Sequence, residues 1–323
     1  MPRILAVAPN WIGDALMAQP LFARLREKDP HLQLDVLAPE WVAPVVRRMP
    51  EVDDTIPVPF RHKALGLRAR WSIGRALKDR GYDQAIVLPN TWKSALVPFF
   101  AGIPVRVGYL GESRHGLLNL IHRKEKQRKE PMALHYARLS EPPGTQLKEA
   151  LPPPRLRVEA QEIEAAKRRF GVLSRYAAFC PGAEYGPAKR WPYFKELSRR
   201  LKIETVVLGS ASDRDAALGI PGHNLAGETT LDEAIALIAG ADYAVSNDSG
   251  LMHVAAALGR PQVALFGSSS PRHTPPLSTA ARVLWLGIEC SPCFQRECPL
   301  GHFRCMREMT VENVLEEIHN LAA

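Results

Sequence analysis

Short apolar runs alternate along the whole chain with longer stretches whose apolar positions recur at helical spacing. Arg3 to Ala8 reads as a buried strand, and Pro9-Asn-Trp-Ile-Gly-Asp14 as a turn. Ala15 to Lys28 carries Leu16, Leu21 and Leu25 on a helix, with Pro30 just beyond its end. Leu32 to Leu37, Gln84 to Leu88 and Val105 to Tyr109 read as further strands. Arg68 to Arg80 and Trp92 to Phe100 read as helices, and residues 111–131, basic and rich in turn formers, as a mobile loop. A second series follows, with a helix at Glu159 to Phe170 and strands at Tyr176 to Cys180, Glu204 to Leu208, Tyr243 to Ser246 and Gln262 to Phe266. Thr230-Leu-Asp-Glu233 is a capping box that opens a helix, and Val311 to Leu321 is a final amphipathic helix.

Alternating strands and helices predict parallel, doubly wound sheets. Glu141-Pro-Pro-Gly and Pro152-Pro-Pro154 flank a polar stretch that reads as a linker. The expected fold is therefore α/β, with two Rossmann-like domains, 1–155 and 156–323, facing across a cleft. The last helix is free in this reading to pack back on the first domain. Ligands of such sheets bind at the carboxyl ends of the strands, so the polar loops there are the places to look for chemistry.

The richest of these is Tyr243-Ala-Val-Ser-Asn-Asp-Ser-Gly-Leu-Met-His-Val-Ala-Ala-Ala-Leu258, a strand, a tight polar turn and a helix. Leu251, Val254, Ala255 and Leu258 form its apolar stripe, which directs His253 away from the core and over Ser249. The turn offers backbone N–H groups at a helix start, which suit a phosphate. Asp248 would repel that phosphate, so it is assigned sugar hydroxyls. An ordinary turn capped by Asp248 or Ser249 accounts for the same residues.

Asp14 stands at a strand end and a helix start. It serves either as an N-cap or as a general base kept ionised by the helix dipole. The loop Pro181-Gly-Ala-Glu-Tyr-Gly-Pro-Ala-Lys-Arg-Trp-Pro192 places a compact cation, Lys189, beside a bidentate one, Arg190, and both suit a diphosphate. Glu228, in Ala226-Gly-Glu-Thr-Thr230, is placed to grip a ribose diol or merely precedes the capping box. His273, Asn10 and Trp11 are weaker candidates, the last two on an acceptor side. Asp213-Arg-Asp215 reads as carboxylates of a first helical turn rather than a metal pair.

Charge changes the picture. The net charge is +8, and residues 1–155 hold 24 Lys and Arg against 15 Asp and Glu, a balance of +9. Two clusters carry it: Arg61, Lys63, Arg68, Arg70, Arg75, Lys78 and Arg80, and Arg114, Arg123, Lys124, Lys126, Arg128 and Lys129. A basic half suggests a polyanionic partner, such as nucleic acid, an anionic membrane or a phosphorylated glycolipid. No apolar run approaches the ~18 residues of a membrane span, and the start lacks a signal peptide, so a cytoplasmic location is expected. The absence of G-x-G-x-x-G weakens a nicotinamide-dependent oxidoreductase. Cys290, Cys293, Cys298 and Cys305, spaced C-x2-C-x4-C-x6-C, read as a structural zinc set or as reduced thiols packed in a loop. A nucleic-acid-binding protein with a zinc module is the competing class, although the cysteines lie in the neutral half and no nucleic-acid motif is present.

Asn10-Trp-Ile-Gly-Asp14, Lys189-Arg190-Trp191-Pro192 with its loop, Ser246-Asn-Asp-Ser-Gly-Leu-Met-His253 and Cys290-Ser-Pro-Cys-Phe-Gln-Arg-Glu-Cys-Pro-Leu-Gly-His302 together resemble the bacterial ADP-heptose:lipopolysaccharide heptosyltransferases, glycosyltransferase family 9. The resemblance runs over essentially the whole chain, and within the family it is nearest to enzymes whose acceptor already bears one heptose. It implies a GT-B fold, inverting chemistry and no cofactor or metal in the chemical step. It assigns the acceptor to the first domain and ADP-heptose to the second. Asp14 would then be the base, and Lys189 would stabilise the departing diphosphate. Glu228 and Asp248 would hold ribose and heptose hydroxyls, and Ser249, Gly250 and His253 would line the diphosphate pocket. The acceptor implied is a phosphorylated lipid A–Kdo–heptose, met at the cytoplasmic face of the inner membrane without nucleic acid. The same chemistry on the heptose-free core is the alternative.

Overall fold

The structure, a computed structural model, describes residues 1–60, 65–123, 130–147 and 150–321. The chain divides into two compact units, Met1–Pro153 and Pro154–Ala323, two residues before the division read from the prolines.

The first unit holds a sheet of β1 (Arg3–Val7), β2 (Gln33–Pro39), β3 (Asp54–Val58), β4 (Gln84–Val87), β5 (Val105–Tyr109) and β6 (Leu120–His122). Its order is β3-β2-β1-β4-β5-β6, and every pairing is parallel. Helices α1 (Ile12–Lys28), α2 (Ala43–Val46), α3 (Leu67–Leu77), α4 (Leu96–Phe100) and α5 (Met132–Ala137) complete it. Leu5, Ala6, Leu34, Val36, Ala85 and Ile86 are wholly buried, as expected of parallel strands covered on both faces. Adding any side chain at Gly74 of α3 would bring its Cβ within 2.6 Å of the Phe100 Cβ, so this glycine permits the close packing of α3 on α4.

The second unit repeats the plan. It contains α6 (Ala160–Phe170), β7 (Tyr176–Cys180), α7 (Phe194–Arg200), β8 (Glu204–Val207), α8 (Arg214–Ala217), β9 (His223–Asn224), α9 (Leu231–Gly240) and β10 (Tyr243–Asn247). It continues with α10 (Gly250–Ala257), β11 (Gln262–Phe266), β12 (Ala281–Trp285), α11 (Arg304–Arg307) and α12 (Val311–Asn320). The sheet runs β12-β11-β10-β7-β8-β9, again all parallel. In each unit the first and fourth strands are neighbours, so the strand order reverses between β1 and β4 and between β7 and β10. A crevice opens at the carboxyl ends of strands at such a reversal.

Two expectations are corrected, one on residues 111–131 and one on α10. Residues 111–131 are not simply a loop. β6 lies within them, and Arg114, counted above in a basic cluster, is buried with its guanidinium donating to the carbonyls of Pro89, Thr91 and Tyr109 at 2.6 to 3.1 Å. Lys124, Lys126, Arg128 and Lys129, like Arg61 and Lys63, lie outside the described residues. The last helix packs within the second unit, on β11, β12 and α7, with Val311 and Val314 in that unit's core. Helix α10 is not amphipathic: Met252 through Ala257 are all buried, His253 among them. The alanines let it pack closely on α9, β10 and β11.

Candidate active site

In the second unit the site is built at the strand-order reversal. Asn247 ends β10 and is fully buried. Its amide donates to the Pro181 carbonyl at 2.6 Å, and its Oδ1 accepts from the Trp191 N–H at 3.1 Å. One side chain thus ties both ends of the 181–192 loop to the strand. Trp191 is buried in the core and donates through Nε1 to the Met309 carbonyl, fixing the loop's far end. Between the two anchors, Lys189 reaches Asp248, with Nζ 2.5 Å from Oδ2. The Ser269 hydroxyl, on the loop after β11, donates to the same oxygen at 2.5 Å.

This pair is largely out of water, with side chains 15% and 5% exposed. Sequence reasoning set Asp248 apart from the phosphate because of its charge. The structure instead places a cation on that carboxylate, and α10 begins two residues on with Gly250, after Ser249 as its N-cap. Ser249 makes no side-chain cap to the helix; its hydroxyl lies 3.3 Å from that of Ser246. The first N–H groups of α10 therefore have no intrahelical acceptor, which is the arrangement that binds anions. Burial, opposed by Asp248 and assisted by Lys189, pushes the His253 imidazole down to about 4. Near neutral pH it is an uncharged ring.

Arg190 approaches Asp213, Nη2 to Oδ1 at 3.9 Å, while its Nε is buried with no hydrogen-bond partner. Asp213 itself closes a capping box with Ser210, as the reading of a first-turn carboxylate predicts. Glu228 pairs with Arg214 at 2.9 Å, both side chains more than half exposed. It is not drawn into the Lys189–Asp248–Ser269 cluster by any observed bond. His273 packs edge-on against Phe294.

The cysteine-rich segment lies against the Lys189 loop. The Ala188 N–H donates to the Arg296 carbonyl at 3.0 Å, and Tyr185 donates to the Phe294 carbonyl at 2.6 Å. Gly186, at φ +145°, has space for no side chain, since a Cβ would sit 2.5 Å from the Arg296 oxygen. Cys290, Cys293, Cys298 and Cys305 line one hollow of about 20 Å³ with His302. Among the described residues no three His, Cys, Asp or Glu side chains are grouped to hold a metal ion. Burial raises the Cys305 thiol to about 11. The segment's visible work is packing: Met306 and Cys305 fill the space over Gly267, where a Cβ would stand 2.2 Å from the Met306 sulfur.

In the first unit, Asp14 is the third residue of α1 rather than its N-cap, which is Trp11. Its Oδ1 accepts a hydrogen bond from the Tyr136 hydroxyl at 3.1 Å. Trp11 is exposed, and the Asn10 carbonyl accepts from Trp41 Nε1 at 2.9 Å. Asn10 lines a cavity of about 410 Å³ at the carboxyl ends of β1 to β4, with Phe60, Arg70, Trp92, Lys93 and Glu112. Arg70, a member of the other basic cluster, is buried and stacked 3.9 Å over the Phe60 ring. Sequence reasoning missed Ser269, Asn247, Tyr136 and most of this lining. Ser269 was visible only as one of several serines in a strand-end loop, and Tyr136 is 122 positions from its partner.

Residues 70–304 match the family model "Glycosyltransferase family 9 (heptosyltransferase)". Lipopolysaccharide heptosyltransferase 2 of Escherichia coli K12 is 43% identical over 341 aligned positions, which span 99% of this chain and 98% of that protein. The structure of E. coli ADP-heptose lps heptosyltransferase II superposes with a TM-score of 0.87 at 40% identity, covering 99% and 98% of the two chains. Lipopolysaccharide heptosyltransferase 1 of Pseudomonas aeruginosa PAO1 is more distant, at 25% identity over 92% of this chain and 87% of that protein. A family match over most of the sequence, a full-length relative above 40% identity and the two parallel six-stranded sheets of the GT-B plan agree: the chain belongs to glycosyltransferase family 9, the heptosyltransferases.

Proposed function

We propose that this enzyme transfers heptose from ADP-L-glycero-D-manno-heptose to the first heptose of the lipopolysaccharide inner core, with inversion at the anomeric carbon. The observation that carries the reading is the full-length likeness to a heptosyltransferase 2 at 43% identity, against 25% for a heptosyltransferase 1. The second unit takes the donor. The N-terminus of α10 and Lys189 meet the diphosphate, and neutral His253 contributes a hydrogen bond without adding charge. Asp248 gains a competitor for Lys189 when phosphate arrives, which frees its oxygens for sugar hydroxyls. Glu228 keeps its assignment to the ribose.

The first unit takes the acceptor, and the 410 Å³ cavity with Arg70, Lys93 and Trp92 has the mixed polar and aromatic lining that a phosphorylated sugar requires. Asp14 accepts the proton of the attacking hydroxyl as the new glycosidic bond forms and the bond to ADP breaks. Lys189 offsets the charge that develops on the leaving diphosphate. The chemistry so written needs no metal, and metal analysis of the purified protein tests whether the four cysteines hold one. The first unit's surplus of positive charge supports peripheral contact with the anionic cytoplasmic face of the inner membrane.

The test is ADP release from ADP-heptose offered with two acceptors, Kdo2-lipid A bearing one heptose and Kdo2-lipid A bearing none. Release that depends on the heptose-bearing acceptor is the expected result. Preference for the heptose-free acceptor would move the enzyme to the other acceptor class while leaving the donor chemistry intact.

A further inference from the structure

We infer that Tyr136 is the positioning residue of the catalytic base: its hydroxyl holds the Asp14 carboxylate in the rotamer that takes the acceptor's proton. The inference rests on the reading of Asp14 as base. Tyr136 sits on α5, which packs along α1. Its side chain is buried, and the one bond its hydroxyl is seen to make is the 3.1 Å donation to Asp14 Oδ1. A buried hydroxyl is costly to keep without a partner, so a phenylalanine would serve better here if packing were the whole role. Burial, followed by the nearby Asp14 charge, raises the phenol far above its ordinary range, so it stays protonated and can only donate to a carboxylate.

The support behind the hydroxyl is stiff. His135, the preceding residue, stacks on Tyr109 with ring centroids 3.9 Å apart and planes at 12°. The Tyr109 hydroxyl donates to the His135 carbonyl at 2.7 Å. Tyr109 ends β5, so α5 is anchored to the sheet one residue before Tyr136. Asp14 and its hydrogen-bond donor are thus held from two elements of one rigid unit. A carboxylate on the first turn of a helix has several rotamers, and a bond to one of its oxygens selects among them.

Three variants test this. Tyr136→Phe should lower kcat by about tenfold to a hundredfold, the worth of a hydrogen bond to a charged group, with KM for donor and acceptor changed by less than about twofold. Replacing Tyr136 with para-aminophenylalanine, which keeps the ring and a donor, should restore most of the turnover. Tyr176→Phe removes a comparable buried tyrosine bond in the second unit, to the Leu237 carbonyl at 2.6 Å, and should lower the melting temperature with kcat nearly kept. Unchanged turnover in Tyr136→Phe, or kcat and KM falling alike in both phenylalanine variants, would overturn the inference. Asp14→Asn, assayed alongside, separates the two ideas. A silent Tyr136→Phe beside a dead Asp14→Asn removes only the positioning role, whereas an active Asp14→Asn removes the base itself.

Discussion

At the scale of single residues, the site is defined by which polar groups are buried together. Lys189, Asp248, Ser269 and His253 belong to three loops and a helix of the second unit, and burial sets the protonation of His253. His253 is the clearest case. Its folded value of about 4 lies below the ordinary 6.5, so between those values the unfolded chain binds the extra proton. Its contribution to stability is therefore complete above pH 6.5 and is lost as pH falls toward 4. Near pH 5 the loss should amount to about 2 kcal/mol. Denaturant unfolding of the wild type and of His253→Gln at pH 7.5 and pH 5.0 measures it: the wild type should lose more stability between the two than the variant. Equal losses would mean that the imidazole is not buried as described. Nothing local in the chain marks this burial, because counting helical angles from Leu251 puts His253 opposite the apolar stripe. The count fails because Met252 through Ala257 are buried whichever way they face, while Leu251, the start of the count, is only partly buried.

At the scale of elements, the strands were the most legible part of the chain. β1, β5, β7 and β11 are short apolar runs bounded by turn formers, and each was readable as such. β6, with three residues, and β9, with two, have too few positions for a pattern, and sheet pairing alone defines them. The basic clusters were less legible, since spacing does not tell a solvated arginine from a buried one. Arg114 is structural, Arg70 is buried in the wall of the first unit's cavity, and Arg80 bonds Asp54 and Asp35 at 2.7 and 3.2 Å. What remains exposed on α3 is more pointed than a general positive surface. Leu67 and Trp71 are 49% and 53% exposed, and Arg68 and Arg75 flank them on the outer face. A tryptophan among arginines on one helix face suits the boundary of an anionic bilayer. Wild-type enzyme should co-sediment with phosphatidylglycerol-containing vesicles at low salt, and Trp71→Ser combined with Arg68→Glu and Arg75→Glu should reduce the bound fraction several-fold. Equal sedimentation of the triple variant would take α3 out of the membrane contact.

At the scale of the whole molecule, each unit is a six-stranded parallel sheet with its polar loops gathered where the strand order reverses. Alternating strands and helices made that fold legible, and the loops at strand ends held Asn10, Lys189 and Asp248 as expected. The partners that work through distant positions, Tyr136 for Asp14 and Ser269 for Asp248, were not legible, because nothing local in the chain marks a contact made only by folding. The central claim joins the fold to the chemistry: a carboxylate on the first turn of α1 deprotonates the acceptor. The most direct measurement is acceptor-dependent ADP release by wild-type enzyme and by Asp14→Asn, with ADP-heptose binding measured on both. The account predicts turnover reduced by about 10² to 10⁴ in the variant with donor affinity kept. Turnover equal to wild type would contradict it and leave Asp14 as a structural partner of Tyr136.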